Sequence, residues 1–473
     1  MGTSDGPAVP QGRIRRTMPL AGFTARAVGG RMVAALREKA GDDGAVDRFH
    51  ERTAERYAEL LGQSKGVLMK AGQMLSIVDP GWAGGGALDA YQSALSQLQA
   101  DAPPMDSDLA RQVLHADLGR TTDEVFAEFT DEPMAAASIG QVHRAVLHDG
   151  REVAVKIQYP GVREAIRDDL ANTELLATFL RLGSSLRTSV LRSDINKAAR
   201  EVAARIAEEI DYRHEAANMA MFGELYRDHP FIRIPDVIPE ASGDRVLTMT
   251  YLDGMDWATA QHADQELRNT WAEAILRFGT GSARHANLSH ADPHPGNYRF
   301  GADGRVGFLD FGCVKVVSEG FRRDYIGTIR AVLDGRQQEM RARMISAGFI
   351  TADSTLATDE IYQWWTEILH EWLAPQPVTY SQETAQRAVL GVLALAPDNP
   401  ARQMSIPDDA VFMTRIGLNI NTICARLGAT LYTRSIQDDM DGVGEPTTPL
   451  GKQHHAWVRR RGLPYGLEPH GQP

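Results

Sequence analysis

The sequence predicts an α+β fold of two lobes, a strand-rich one followed by a mostly helical one, and three patterns carry that expectation. Val142–Leu147 and Arg151–Ile157 are β-branched runs joined by His148-Asp149-Gly150, which reads as a hairpin. Tyr298–Phe300 and Arg305–Leu309 flank Gly301-Ala302-Asp303-Gly304 in a second strand–turn–strand pattern. Beyond Val316, helical stretches such as Phe321 to Leu333 and Thr358 to Trp372 alternate with loops.

In chain order, residues 1–45 are a basic amphipathic segment, with Arg13, Arg15, Arg16, Arg26, Arg31 and Arg37 among Leu20, Phe23, Met32 and Leu36. Residues 46–118 form a helical extension, because the pattern begun near Val46 runs through Ile77. Residues 119–254 make the strand-rich lobe with inserted helices. Ser193-Asp194 caps a single long helix reaching Tyr226, and Ile232–Val237 and Arg245–Tyr251 are strands around Ser242-Gly243-Asp244. Leu252-Asp253-Gly254 is the expected hinge into the helical lobe, 255–445, and residues 446–473, with Arg459-Arg460-Arg461 and a Pro/Gly-rich end, read as a flexible tail.

The chemistry concentrates in two short segments. His290-Ala291-Asp292-Pro293-His294-Pro295-Gly296-Asn297 precedes the second hairpin, and Leu309-Asp310-Phe311-Gly312 follows it. A phosphoryl group in transfer spreads negative charge over its oxygens, which hard Mg²⁺ neutralises through carboxylate and amide oxygens held on short loops. Asp310 and Asn297 suit that role. Asp292 has the position of a residue that orients or deprotonates an attacking hydroxyl, and Pro293 and Pro295 stiffen its loop. The ordered pair with a hairpin between resembles the way protein-kinase-like folds assemble a catalytic carboxylate and two metal ligands. A competing metal cluster of His290, Asp292 and His294 lacks a fourth ligand nearby, since Cys313 and Cys424 are far apart in sequence.

Such a site calls for a lysine upstream, and lysine is scarce here. Lys156 lies in Val153-Ala154-Val155-Lys156-Ile157, where alternation puts Ala154 and Lys156 on one face of a strand whose other face is apolar. With Asp292 it is the catalytic candidate, its ammonium directed to the α/β-phosphates of ATP. Ahead of the hairpin stands Ala135-Ala136-Ala137-Ser138-Ile139-Gly140 in place of a glycine-rich loop. Alanine does not take positive φ cheaply, so this loop approaches a nucleotide differently, through Ser138, Gly140 and backbone N–H groups. Backbone at Thr250 to Leu252 would meet the adenine.

The alanine-rich loop, Val-Ala-Val-Lys, His-Ala-Asp-Pro-His-Pro-Gly-Asn and Leu-Asp-Phe-Gly together resemble the UbiB/AarF-type atypical kinase family. Lys70-Ala71-Gly72-Gln73 matches that family's Lys-x-Gly-Gln motif, and Glu209-Ile210-Asp211 with Glu215 matches its Glu-x-Asp region. The resemblance implies a two-lobed protein-kinase-like fold whose helical extension carries Lys70, Gly72 and Gln73 over the site, excluding peptide substrates. It implies Mg²⁺ and ATP, and a link to lipids or isoprenoid quinones. Glu209 and Glu215 are six residues apart and do not share a helical face, so one of them at most pairs with Lys156. A small-molecule phosphotransferase akin to aminoglycoside or choline kinases, and a non-catalytic nucleotide-gated scaffold, are the alternatives; the first leaves the Lys-x-Gly-Gln and Glu-x-Asp motifs unexplained.

Composition agrees. Of 473 residues 43% are hydrophobic, enough for a globular core, and a net charge of −12 argues against a nucleic-acid partner. Two cysteines imply no disulfide framework and suit a reducing cytoplasm. No stretch reaches the roughly 18 apolar residues of a membrane span. The basic amino terminus reads as a first packed helix, as a mitochondrial-type presequence, or as a device for peripheral contact with an anionic membrane surface. Nothing in the sequence sets an oligomeric state.

Overall fold

Val153, Val155 and Ile157 are wholly buried and alternate with half-buried Ala154 and Lys156, as a period of two requires of a strand with one face in a core. The structure, a computed structural model, describes residues 105–137, 139–164, 166, 210–393 and 399–469. The Lys-x-Gly-Gln motif, Ser138, Glu209 and the basic amino terminus lie outside the described residues. The chain divides into two units. The first takes the described residues up to His214 together with Val237–Tyr251, and the second takes Glu215–Asp236 and everything from Leu252. The second division follows Tyr251, just before Leu252-Asp253-Gly254.

The first unit is a five-stranded antiparallel sheet in the order β1-β3-β4-β6, with β2 on β3. Its strands are β1 (Phe126–Phe129), β2 (Ala135–Ala137), β3 (Gly140–Leu147), β4 (Glu152–Gln158) and β6 (Val246–Thr250); β5 belongs to the second unit. The β3–β4 hairpin turns on Gly150, whose φ of 87° is one that glycine adopts without strain. Helix α1 (Ser107–Leu118) is capped by Asp106 and packs Ala110, Val113 and Leu114 on the sheet's apolar face. At the far end of α1, Asp117 Oδ2 accepts the N–H groups of Arg245 (2.8 Å) and Val246 (3.0 Å), fixing where β6 begins.

The long helix expected up to Tyr226 is broken. Ile210 and Asp211 are not helical, and the Asp211 carboxylate accepts from the N–H groups of Arg213 (3.1 Å) and His214 (3.2 Å), starting α2 (Tyr212–Leu225) afresh. From Glu215 onward α2 joins the second unit, as does β5 (Ile232–Arg233), although both fall in the range expected for the first lobe. Phe222 and Tyr226 explain this by packing on Phe278, at 5.7 and 5.4 Å between ring centres.

Within the second unit, β8 (Tyr298–Phe300) and β9 (Val306–Phe308) form the expected hairpin, with β5 parallel to β9. β7 (Leu288–His290) pairs with β10 (Val314–Val316). The helices are α3 (Gln265–Ala286), α4 (Glu319–Leu333), α5 (Gln337–Ser346), α6 (Thr358–Ile368), α7 (Gln382–Leu393), α8 (Asp408–Arg426), α9 (Thr433–Met440) and α10 (Pro449–Arg461). Among the described residues no helix is long and apolar enough to cross a membrane.

The carboxyl-terminal stretch, expected as a flexible tail, is instead built into this unit. Arg277 on α3 grips Asp439 through two bonds of 2.7 Å, Arg284 holds Asp441 at 2.8 Å, and Arg330 on α4 holds Asp438. Helix α10 places His454 and Trp457 in the interior. Backbone N–H of Ile232 donates to His229 Nδ1 at 3.0 Å, so the proton of that ring is on Nε2, which donates to His454 Nδ1 at 3.0 Å. His454 Nε2–H then donates to His285 Nε2 at 3.0 Å, and His285 Nδ1–H to the Pro464 carbonyl at 2.8 Å. One set of tautomers satisfies the chain with three neutral rings.

Burial, reinforced by the nearby His285 and Arg277, holds the pKa values of His229 and His454 well below the ordinary imidazole value. The unfolded chain takes up these protons below a pH of about 6.5 while the folded chain refuses them, so stability is complete above that pH and falls as pH drops. The unfolding free energy read in urea is therefore expected to fall by about 1 kcal/mol for each of the two rings between about pH 6.5 and 5.5. His454→Gln, which offers an acceptor and a donor without titrating, flattens that slope. A slope equal to that of the parent chain contradicts the relay.

Candidate functional site

In the first unit, Lys156 sits in the middle of β4 between Val142 of β3 and Leu247 of β6, and its ammonium lies 5.1 Å from the centre of the Tyr212 ring. The three alanines form β2 rather than an open loop: Ala135, Ala136 and Ala137 pair with Val142, Gln141 and Gly140. Extended backbone makes no demand for positive φ, so alanine costs nothing here. Gly140 is needed for a different reason. A Cβ there would stand 2.1 Å from the Ile157 carbonyl oxygen on β4. Thr250 closes β6 opposite Val153, and the Tyr251 N–H donates to the Glu152 carbonyl at 2.9 Å. Leu252, the next residue, opens the second unit and is buried.

In the second unit, antiparallel pairing of β7 with β10 lays the Asp292 segment beside the Asp310 segment, and Ala291 N–H donates to the Cys313 carbonyl at 2.9 Å. His290 Nε2–H donates to the Asp310 carbonyl at 2.6 Å. Pro295–Asn297 makes one 3₁₀ turn, capped by His294 Nδ1 accepting from Gly296 N–H at 3.2 Å. Leu309 N–H donates to the Asn297 carbonyl at 3.0 Å, so Asn297 is tied to the residue preceding Asp310. Asp310 Oδ1 accepts from Gly312 N–H at 3.0 Å. Asp292, Asn297 and Asp310 are each half-buried and brought together by these backbone links.

The ring column behind them is apolar. Phe311 lies 5.1 Å from Phe222 and 5.3 Å from His290, and Asn218 Nδ2 donates to the Phe311 carbonyl at 2.9 Å. His290 is wholly buried in this column; burial lowers its pKa, and its Nδ1 has no hydrogen-bond partner among the described residues. With His290 committed to a carbonyl and His294 to a turn, the histidine–aspartate metal cluster has no basis. Among the described residues no three His, Cys, Asp or Glu side chains form a metal cage. One carboxylate and one amide oxygen suit Mg²⁺, which takes its other ligands from phosphates and water. Glu215 is buried, 1% exposed. Cys424 is buried and its thiol is pushed up to about 12, which removes it as a nucleophile.

Sequence reasoning missed Arg415 on α8. Its Nη2 donates to Asp292 Oδ1 at 2.7 Å across 123 residues of chain. It also missed Asp211 as a helix cap, although Asp followed by an amphipathic run is a recognised start signal.

A family profile, the ABC1 atypical kinase-like domain, matches residues 97–344. The chain belongs to that family. It is similar to the mitochondrial atypical kinase COQ8B of Rattus norvegicus, 29% identical over 466 residues, which cover 96% of this chain and 83% of that one. Similarity to the mitochondrial atypical kinase COQ8 of Saccharomyces cerevisiae is 28% over 390 residues, 80% of this chain and 74% of that one. Among solved structures, Rv3197 of Mycobacterium tuberculosis in complex with erythromycin aligns with a TM-score of 0.60 at 30% identity, covering 88% of this chain and 99% of that one. The UbiB/AarF-type resemblance and the protein-kinase-like α+β fold both agree with these findings.

Membership of the family sets the close approach at Gly140 in context. Gly140→Ala forces β3 from β4 and is expected to cost about 1–3 kcal/mol of unfolding free energy, read by chemical denaturation. An unchanged midpoint would show that the two strands separate freely there.

Proposed function

We propose that this ABC1-family chain binds Mg-ATP and transfers or hydrolyses its γ-phosphoryl group, with a lipid or isoprenoid-quinone-related small molecule as acceptor or regulator. The observation that carries the reading is the backbone stitching that holds Asp292, Asn297 and Asp310 on adjoining loops. Asp310 and Asn297 would hold Mg²⁺, which when bound neutralises charge on the phosphate oxygens. Lys156 engages the α/β-phosphates, and Ala135–Ala137, Ser138 and Gly140 border them. Thr250 and Leu252 meet the adenine. Asp292 orients the attacking hydroxyl or water and accepts its proton. The family resemblance supports Lys70, Gly72 and Gln73 as residues that limit access to the site, and Glu209 or Glu215 as the partner of Lys156. The basic amino terminus supports action at an anionic lipid surface without a membrane span.

Phosphate release and radiolabel transfer from Mg-ATP, with and without anionic vesicles, test the reading. Asp310→Asn weakens Mg-dependent nucleotide binding, because an amide does not neutralise the ion as a carboxylate does; unchanged affinity in a folded variant overturns the metal assignment. Asp292→Asn spares binding and lowers turnover about 10²- to 10⁴-fold. Equal loss of binding and turnover removes Asp292 from the chemistry.

A further inference from the structure

The contact between Arg415 and Asp292 joins the second unit's loop to a helix that lies beyond the matched domain, residues 97–344. Helix α8 is seated at this point by three neighbouring contacts. Phe412 packs with Ala291 and Cys313, Ser289 Oγ–H donates to Met413 Sδ at 3.2 Å, and Lys315 pairs with Asp409 at 3.5 Å. Ala291 and Cys313 flank the two aspartates in sequence, so the helix reads the same pair of loops that carry Asp292 and Asp310. Arg415 follows Phe412 by three residues and therefore projects from the same face.

The pair is unequal in its surroundings. The Arg415 side chain is 12% exposed and that of Asp292 34%. The guanidinium is the shielded partner, its Nε buried and without a hydrogen-bond partner among the described residues, while the carboxylate is the open one. A charge-assisted bond of 2.7 Å to Oδ1 restrains rotation of the carboxylate and leaves Oδ2 as its open oxygen. It also sets a positive charge behind an anion that would otherwise repel the approaching polyphosphate.

The geometry points to Arg415 as a positioning residue for Asp292: it aims the carboxylate at the attacking hydroxyl or water and offsets its charge, without itself meeting the reacting atoms. This rests on the reading of Asp292 as catalytic. Loss of the guanidinium leaves the metal and nucleotide residues in place but lets the carboxylate rotate. Misplacement of a catalytic group by about 1 Å costs about 100-fold in rate, so the effect belongs in kcat and not in nucleotide affinity.

The test is a double-mutant cycle on the full chain, scoring phosphate release from Mg-ATP, Mg-ATP affinity and thermal unfolding for Arg415→Met, Arg415→Lys, Asp292→Asn and the pair Arg415→Met with Asp292→Asn. Arg415→Met is expected to lower kcat at least tenfold with affinity unchanged within about threefold. Arg415→Lys keeps the charge on a flexible stem and recovers part of the loss. In the pair, Arg415→Met adds nothing to Asp292→Asn. Full additivity, or turnover unchanged in both Arg415 variants while Asp292→Asn abolishes it, overturns the positioning role alone. Turnover that is absent in the parent chain or indifferent to Asp292→Asn overturns the functional reading beneath it. If Arg415→Met unfolds, a folded Arg415→Lys with undiminished kcat and no coupling to Asp292→Asn has the same adverse force.

Discussion

At 2.6 Å, the bond that His290 donates to the Asp310 carbonyl spans 20 residues and joins the end of β7 to the start of the Asp-Phe-Gly segment. Apart from the 3₁₀ turn at Pro295–Asn297, neither loop has regular structure to hold it, and each carries an aspartate of the proposed site. The ring that makes the bond is itself wedged edge-on against Phe222 and Phe311 and tilted against Phe278, shielded from water. The bond is partly buried, and leaving it unmade would strand a polar atom of a ring that water does not reach. Moving either loop therefore means opening the aromatic column. Cheap local flexing is excluded, and the arrangement of Asp292, Asn297 and Asp310 inherits the rigidity of the core behind it.

The same economy explains why the second unit extends well past the matched domain. Arginines of α3 and α4 take three aspartates of the 438–441 stretch, and α10 then seals His229, His285 and His454 from solvent. Buried ion pairs add little net stability over apolar packing, but removal of one partner is expensive. Their value lies in fixing one register for the returning chain. Helix α8, held by the same fold, carries the arginine that reaches Asp292.

Much of this was legible in the sequence because the signals are local. Lys156 is found by alternation within five residues, and the Tyr298–Phe308 hairpin by apolar runs around Asp303-Gly304, where Gly304 has φ of 83°. The carboxyl terminus misled because Arg459-Arg460-Arg461 and the Pro/Gly-rich end outweigh a quieter pattern. Thr448-Pro449 and Gly462 are helix start and stop signals, and Gly451, His454, Trp457 and Val458 fall on one face. The break before Tyr212 was hidden by a composition rich in helix formers on both sides of Asp211. The Arg415–Asp292 contact has no local signature at all, since 123 residues separate its partners and only folding brings them together.

In the proposed function, Asn297 and Asp310 hold the metal and Lys156 the phosphates of one nucleotide. Isothermal titration of the full chain with ATP, once in Mg²⁺ and once in EDTA, tests it most directly. The expected result is one nucleotide per chain, bound at least about tenfold more tightly with the metal than without it. No binding in Mg²⁺, or the same affinity in both buffers, would contradict the account.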